Sequence, residues 1–147
     1  MAYFEALLNE LGTDLETTLT PDEKGFCLVV LKNKVNIQIQ PSTLNRILIC
    51  STLGTLPPGA FRETLLRGAL MNNGSPPPLY GILSYSTAND SLILFEFLDQ
   101  KNLNNDDFIK YFRTFSKKAE QWMDAINSGE LPTIIKDASG VKNRSKV

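Results

Sequence analysis

Side chains that shuttle protons, attack carbonyls or hold metals are scarce in this sequence, and those present are poorly spaced for such work. None of the 147 residues is histidine, which removes the usual general base, the usual zinc ligand and any Ser–His or Cys–His nucleophile pair. Cys27 and Cys50 are the only cysteines. Each lies in an apolar, strand-like run, and the pair reads as reduced core thiols of a cytoplasmic protein rather than a metal site or a disulfide. No GxxxxGKS/T phosphate loop and no GxGxxG turn occurs. A two-carboxylate hydrolase needs no histidine, and Glu96 with Asp99, or Asp106 with Asp107, are its candidates. A strand end and a helix start explain those carboxylates more simply. The residues therefore argue against an enzyme and imply no cofactor or metal. A small α+β enzyme or ligand-binding domain stands as the alternative.

The elements that would carry any function can be read in order. Residues 2–11 form an amphipathic helix, with Phe4, Leu7, Leu8 and Leu11 on one stripe and Gly12 as its stop. A polar stretch follows to Gly25, with a short extended piece near Leu15 to Leu19. Phe26 to Leu31, apolar at both parities, and Val35 to Gln40, apolar at alternate residues, make a hairpin that Pro41 ends. Ile47 to Cys50 is a buried strand. It leads through Gly54 and Pro57-Pro58 into a helix carrying Phe61, Leu65, Leu66, Ala69 and Leu70 and ending at Gly74. Gly68, mid-helix, costs roughly 1 kcal/mol against alanine. Beside Ala69 it makes a small-residue patch for close packing, either on the chain's own sheet or across a two-fold axis.

Pro76 to Pro78 are a stiff connector to a second hairpin, Leu79 to Tyr85 with Leu92 to Leu98. The last helix is capped by Asn104 or Asn105 and carries Asp106 and Asp107 at its positive end. It spaces Phe108, Phe112, Phe115, Ala119, Trp122 and Ile126 at alternating steps of four and three. The order is α-β-β-β-α-β-β-α, an α+β fold with a twisted, antiparallel five-stranded sheet and three helices. Residues 1–131 form a single domain, followed by a flexible basic tail over 132–147.

Composition bounds the partners. With 42% hydrophobic and 21% charged residues the chain resembles an ordinary soluble domain. Residues 1–135 carry 11 Lys/Arg against 15 Asp/Glu, a balance of 11 − 15 = −4, and residues 136–147 carry 4 against 1, or +3. An acidic body argues against nucleic acid, which needs clustered positive charge. The amino-terminal residues lack a basic leader, and no apolar run spans a bilayer. The informative signal is an excess of apolar sheet. The first and last helices cover one face, and only the middle helix is left to shield leucine, valine and phenylalanine on the other. Exposing such side chains forgoes roughly 1.5–3 kcal/mol each, so a second subunit, a client segment or both should bury them. A client has two routes: strand addition at a sheet edge, or an amphipathic piece in a groove beside the first helix.

Three stretches carry a family likeness: FEALLNELG (Phe4–Gly12), STLGTLPP with LLRGALMNNG (Ser51–Pro58, Leu65–Gly74), and DDFIKYFRTFSKKAEQW (Asp106–Trp122). By their order and spacing the chain resembles, over about residues 3–131, the class I chaperones of bacterial type III secretion, the Tir-chaperone (CesT/SycE-like) family. The resemblance implies a cytoplasmic bacterial protein that binds the N-terminal chaperone-binding segment of a secreted effector or regulator. It would hold that segment extended and secretion-competent without ATP and aid its delivery to the export apparatus. It also implies self-pairing as a homodimer, or pairing with a related chaperone. Carried over by position, the dimer contact comprises Phe61, Leu65, Gly68, Ala69 and Leu83, and a larger residue at Gly68 would split it. The client groove comprises Phe4, Leu7, Leu8, Leu28, Val30, Ile37 and Ile39.

Overall fold

The structure, a computed structural model, describes residues 2–132. Its elements are α1 (Ala2–Leu15), β1 (Cys27–Val30), β2 (Asn36–Ser42), β3 (Arg46–Thr55), α2 (Ala60–Asn73), β4 (Ile82–Ser86), β5 (Ser91–Asp99) and α3 (Asn105–Ser128), with a single 3-10 turn at Gln100–Asn102. The order matches the sequence reading. One sheet, ordered β1-β2-β3-β5-β4, is antiparallel throughout. The basic tail expected over 132–147 lies, from residue 133 onward, outside the described residues.

α3 sets the inside of the molecule. Asn104 caps it, its side chain accepting from Asp107 N–H at 2.8 Å, and Gly129, left-handed at φ 78°, ends it. Phe108, Phe112, Phe115, Ala119 and Trp122 are buried as their spacing predicts. Ala125 is buried beside them, while Ile126 packs at the margin of the core. Phe4, Leu7, Leu8 and Leu11 of α1 join the same cluster, as do inward residues of all five strands: Cys27 and Val29, Ile37 and Ile39, Ile47 and Ile49, Leu83, and Leu92 and Leu94. An Arg113–Asp14 ion pair links α3 to the end of α1.

Several expectations are corrected by local chemistry. α1 does not stop at Gly12 but runs to Leu15, so no extended piece occupies Leu15 to Leu19. The reversal is made by Glu16 at φ 59°. Thr17 N–H donates to Gly12 O at 2.9 Å and Glu16 N–H to Thr13 O at 3.2 Å, the paired bonds of a left-handed C-terminal cap. Gly12 is needed because the returning chain is close: a Cβ there would lie 2.7 Å from Thr17 O. β2 continues through Pro41, which pairs with Ile47 of β3. On its other side β1 reaches only to the Cys27–Ile39 pair, so the missing N–H of proline costs no ladder bond. Leu44 and Asn45, both left-handed at φ 59° and 56°, close the β2–β3 hairpin in the mirror-image turn that suits twisted strands. Cys27 is buried, but Cys50 is only half-buried, on the sheet face opposite the core.

Gly68 packs within its own chain. A Cβ there would meet Leu131 Cδ2 at 2.9 Å and Trp122 Cη2 at 3.6 Å, so α2 lies over the end of α3. Alanine at 68 asks only for a shift of the flexible Leu131 tip, whereas leucine overfills the contact. We expect Gly68→Ala to unfold in urea within about 1 kcal/mol of the parent and Gly68→Leu to lose about 1–3 kcal/mol, whatever the oligomeric state. Equal midpoints for Gly68→Leu and the parent would show that this helix contact is loose.

Candidate functional site

The side chains that α1 and α3 leave uncovered follow from strand periodicity. Successive residues of a strand face opposite sides. With Ile47, Ile49 and Leu94 inward, residues Leu48, Cys50, Ile93, Phe95 and Phe97 face outward, in register across the β3–β5 pair. Ile82 extends the row onto β4 and Leu28 and Val30 extend it onto β1. None of these side chains packs into the core cluster. Leu28 is 59% exposed, Val30 67% and Phe97 40%. Phe97 stands edge-on to Phe95 with ring centroids 6.2 Å apart, and the Arg46 guanidinium sits 4.4 Å from its centroid. α2 does not shield this face. Leu65, Gly68 and Ala69 turn into the core, and the helix meets the sheet at the β4 edge.

β1 forms one rim of the sheet. Leu31 N–H donates to Val35 O at 3.0 Å, which places Val29 and Cys27 in the bonded pairs with β2. The backbone groups of Leu28 and Val30 therefore point away from it. Beside this rim the end of α1 and the β1–β2 turn enclose a cleft of about 570 Å³, lined by Leu15, Glu16, Thr17, Val30, Leu31 and neighbouring residues. An extended segment laid there would find backbone partners on β1 and apolar contacts on Leu28 and Val30.

Of the seven residues expected to form a client groove, the structure brings Leu28 and Val30 to the surface. It buries Phe4, Leu7, Leu8, Ile37 and Ile39 at 0–2% exposure. Of the five expected at a dimer contact, Leu65, Gly68, Ala69 and Leu83 are buried within the chain and Phe61 is half-buried against the core. The apolar residues that α2 does present outward are Leu70, 72% exposed, and Met71, 46% exposed. Leu70 borders a shallow groove with Leu66, Arg62 and Arg67. The sequence signal for this second stripe is Leu66 with Leu70 at i, i+4, one position beyond the buried Leu65–Ala69 pair.

The carboxylates suspected of catalysis have structural work. Asp99 accepts from Lys101 N–H at 3.0 Å, and Asp106 and Asp107 open α3. Glu96 Oε1 accepts from Gly81 N–H at 2.9 Å and from the Tyr111 hydroxyl. Burial, reinforced by the Glu96 carboxylate, pushes the Tyr111 hydroxyl well above its ordinary range. Lys118 Nζ donates to Leu79 O and Gly81 O at 2.8 Å each. Asn73, the last residue of α2, donates through Nδ2 to Leu83 O at 2.8 Å and accepts through Oδ1 from Leu83 N–H at 2.9 Å. At the other end of α2, Arg62 donates to both Asp90 oxygens and to Tyr85 Oη, and Tyr85 itself donates to Asp90. No group of acidic and cysteine side chains able to hold a metal occurs among the described residues. Nor, among them, is any helix long and apolar enough to cross a membrane.

What the fold and its open surfaces define is a binding protein for other polypeptides, a small α+β domain with one bare sheet face and one bare rim. The chain belongs to the Tir chaperone protein (CesT) family, whose model matches residues 6–123. Comparison with curated protein sequences returns no match. Among solved structures, it is similar to a chain of the HopA1–SchA chaperone–effector complex, at 18% identity over 84% of this chain and 94% of that one, with a TM-score of 0.65. It is also similar to a chain of the Yersinia pestis type III secretion chaperone SycH in complex with a stable fragment of YscM2, at 17% identity over 79% and 96%, TM-score 0.61. A third likeness is to a chain of the ExoT–SpcS complex from Pseudomonas aeruginosa, at 14% over 80% and 95%, TM-score 0.61. At these identities the likeness is one of fold.

The Lys118 contacts carry a pH signature. Removal from water drags its ammonium down to about 8, against a smaller opposing pull from Glu96. The folded chain gives up this proton near pH 8, whereas the unfolded chain keeps it to about 10.5. Between those values the unfolded state binds more protons, so the Lys118 contribution to stability rises with pH. Melting temperatures of the parent and Lys118→Met across pH 7–10 should show the parent gaining on the variant above pH 8. A constant difference would contradict the burial.

Proposed function

We propose that this protein is a type III secretion chaperone. It binds the N-terminal chaperone-binding segment of a secreted effector or regulator in the bacterial cytoplasm and holds it extended and soluble without ATP. It then aids delivery of that segment to the export apparatus. The observation that carries this reading is the bare rim of β1, with Leu28 and Val30 exposed beside a cleft. Family membership, and relatives of the same fold whose structures are chaperone–effector complexes, support it. The chaperone unit is a single domain over residues 1–131. In this reading the outer sheet face and the Leu66–Leu70–Met71 side of α2 serve pairing with a second copy or with a related chaperone. Phe61, Leu65, Gly68, Ala69 and Leu83 would support that surface from beneath. Phe4, Leu7, Leu8, Ile37 and Ile39 would likewise hold the client rim in place from within.

Two measurements test this. Leu28→Glu with Val30→Glu changes only exposed side chains, so the fold should persist, with the melting temperature within a few degrees of the parent. Capture of secreted proteins from a host lysate, identified by mass spectrometry, should fall by about tenfold or more, since charge replaces apolar contact at the binding rim. The same proteins recovered in equal amount would remove β1 from the binding surface. In sedimentation the parent should run at about twice 16.4 kDa, and Leu70→Glu with Met71→Glu should return it to the monomer. A parent that stays monomeric at high concentration would refute the pairing.

A further inference from the structure

The two rims of the sheet are built differently. A rim strand presents unpaired N–H and C=O groups to any extended chain, including another copy of itself. At β1 the outward groups of Leu28 and Val30 have no strand beyond them among the described residues. At β4 the outward groups of Leu83 are already occupied. Both polar atoms of the Leu83 backbone bond the Asn73 carboxamide, at 2.8 and 2.9 Å. That is the donor-and-acceptor pattern a neighbouring strand would supply, delivered by one side chain. Two residues earlier, Gly81 N–H donates to Glu96 and Gly81 O accepts from Lys118. These three side chains come from three elements, α2, β5 and α3, and converge on one strip of backbone. Keeping a half-buried ammonium there costs solvation, as the lowered affinity of Lys118 for its proton records.

We propose that Asn73, with Glu96 and Lys118 fixing the backbone that leads into the strand, makes a strand-mimicking seal at the Leu83 position of the β4 rim, which leaves β1 as the more open rim for an extended polypeptide among the described residues. The chain excluded is the β4 of a second copy. Two identical antiparallel strands can pair about a two-fold axis without any other partner, and such pairing would fuse the sheets of two molecules. Asn73 is the specificity-determining residue of the seal, because it alone satisfies both groups of one strand residue. This inference rests on sheet geometry and holds whether or not β1 receives a secreted client.

Amide hydrogen exchange of the full chain by NMR, with sedimentation over a concentration series, tests it. In the parent, Leu83 N–H should exchange about tenfold or more slowly than Leu28 and Val30 N–H. Asn73→Ala should speed Leu83 exchange by about tenfold or more and add a concentration-dependent species larger than the parent's. Adding Ser84→Lys, a charge on the bared strand, should abolish that species. Asn73→Asp keeps the acceptor for Leu83 N–H and places a carboxylate at the rim, so it should remain at the parent's mass. The seal is overturned if Leu83 in the parent exchanges as fast as Leu28 and Val30, a result that needs no variant to fold. It is equally overturned if Asn73→Ala frees the amide yet keeps the parent's mass, or if the larger species survives Ser84→Lys.

Discussion

Phe108, Phe112, Phe115 and Trp122 of α3, packed with Phe4, Leu7, Leu8 and Leu11 of α1, decide which side of the sheet is dry. Once Ile37, Ile47, Ile49 and Leu94 are committed to that side, the two-residue period of each strand leaves no freedom. Leu28, Val30, Leu48, Phe95 and Phe97 must face the other way. The bare face is thus a direct consequence of where the aromatic stripe of α3 lies, and α2 cannot relieve it because Leu65, Gly68 and Ala69 turn the helix toward Trp122 and Leu131.

The same commitment explains which parts of the fold could be read from the chain. α3 was legible almost residue by residue, since an alternating four-and-three stripe between an asparagine cap and a glycine stop admits little else. The strands were legible as apolar runs, but their ends were not. Pro41 stays in β2 only because β1 is short at that point, and Gly12 stays in α1 only because Glu16 makes the reversal. Both facts depend on neighbours that local pattern does not reveal. The surfaces were harder. Phe4, Leu7 and Leu8 on one hand and Leu28 and Val30 on the other look alike in one dimension, since a stripe that faces the core and one that faces a partner have the same composition. Burial separates them: the first three lie in the core and the last two in solvent. On α2 the inward stripe was found, whereas Leu66 and Leu70 of the adjacent stripe were read as part of it and Met71 was not singled out.

The polar side chains at the β4 rim were illegible for a different reason. Asn73 reads as part of a helix stop and Glu96 as a strand-end acid, and nothing in the pattern singles out Lys118. Their partners, Leu83, Gly81 and Leu79, lie ten or more residues away along the chain. The meeting of α2, β5 and α3 at that corner gives each its task, and no motif encodes it.

The attachment of α2 has a mechanical consequence. Arg62 at its start holds Asp90 in the β4–β5 turn, and Asn73 at its end holds Leu83. Helix and hairpin are therefore joined at both ends along one flank. The β1–β2 ribbon on the opposite flank is joined to the body by its ladder with β3, by apolar packing and by the Ser51 hydroxyl, which donates to Asn36 O at 2.7 Å. One flank is thus pinned to its neighbours by side chains at both ends of a helix, whereas the other is held chiefly by the backbone of its own strand ladder.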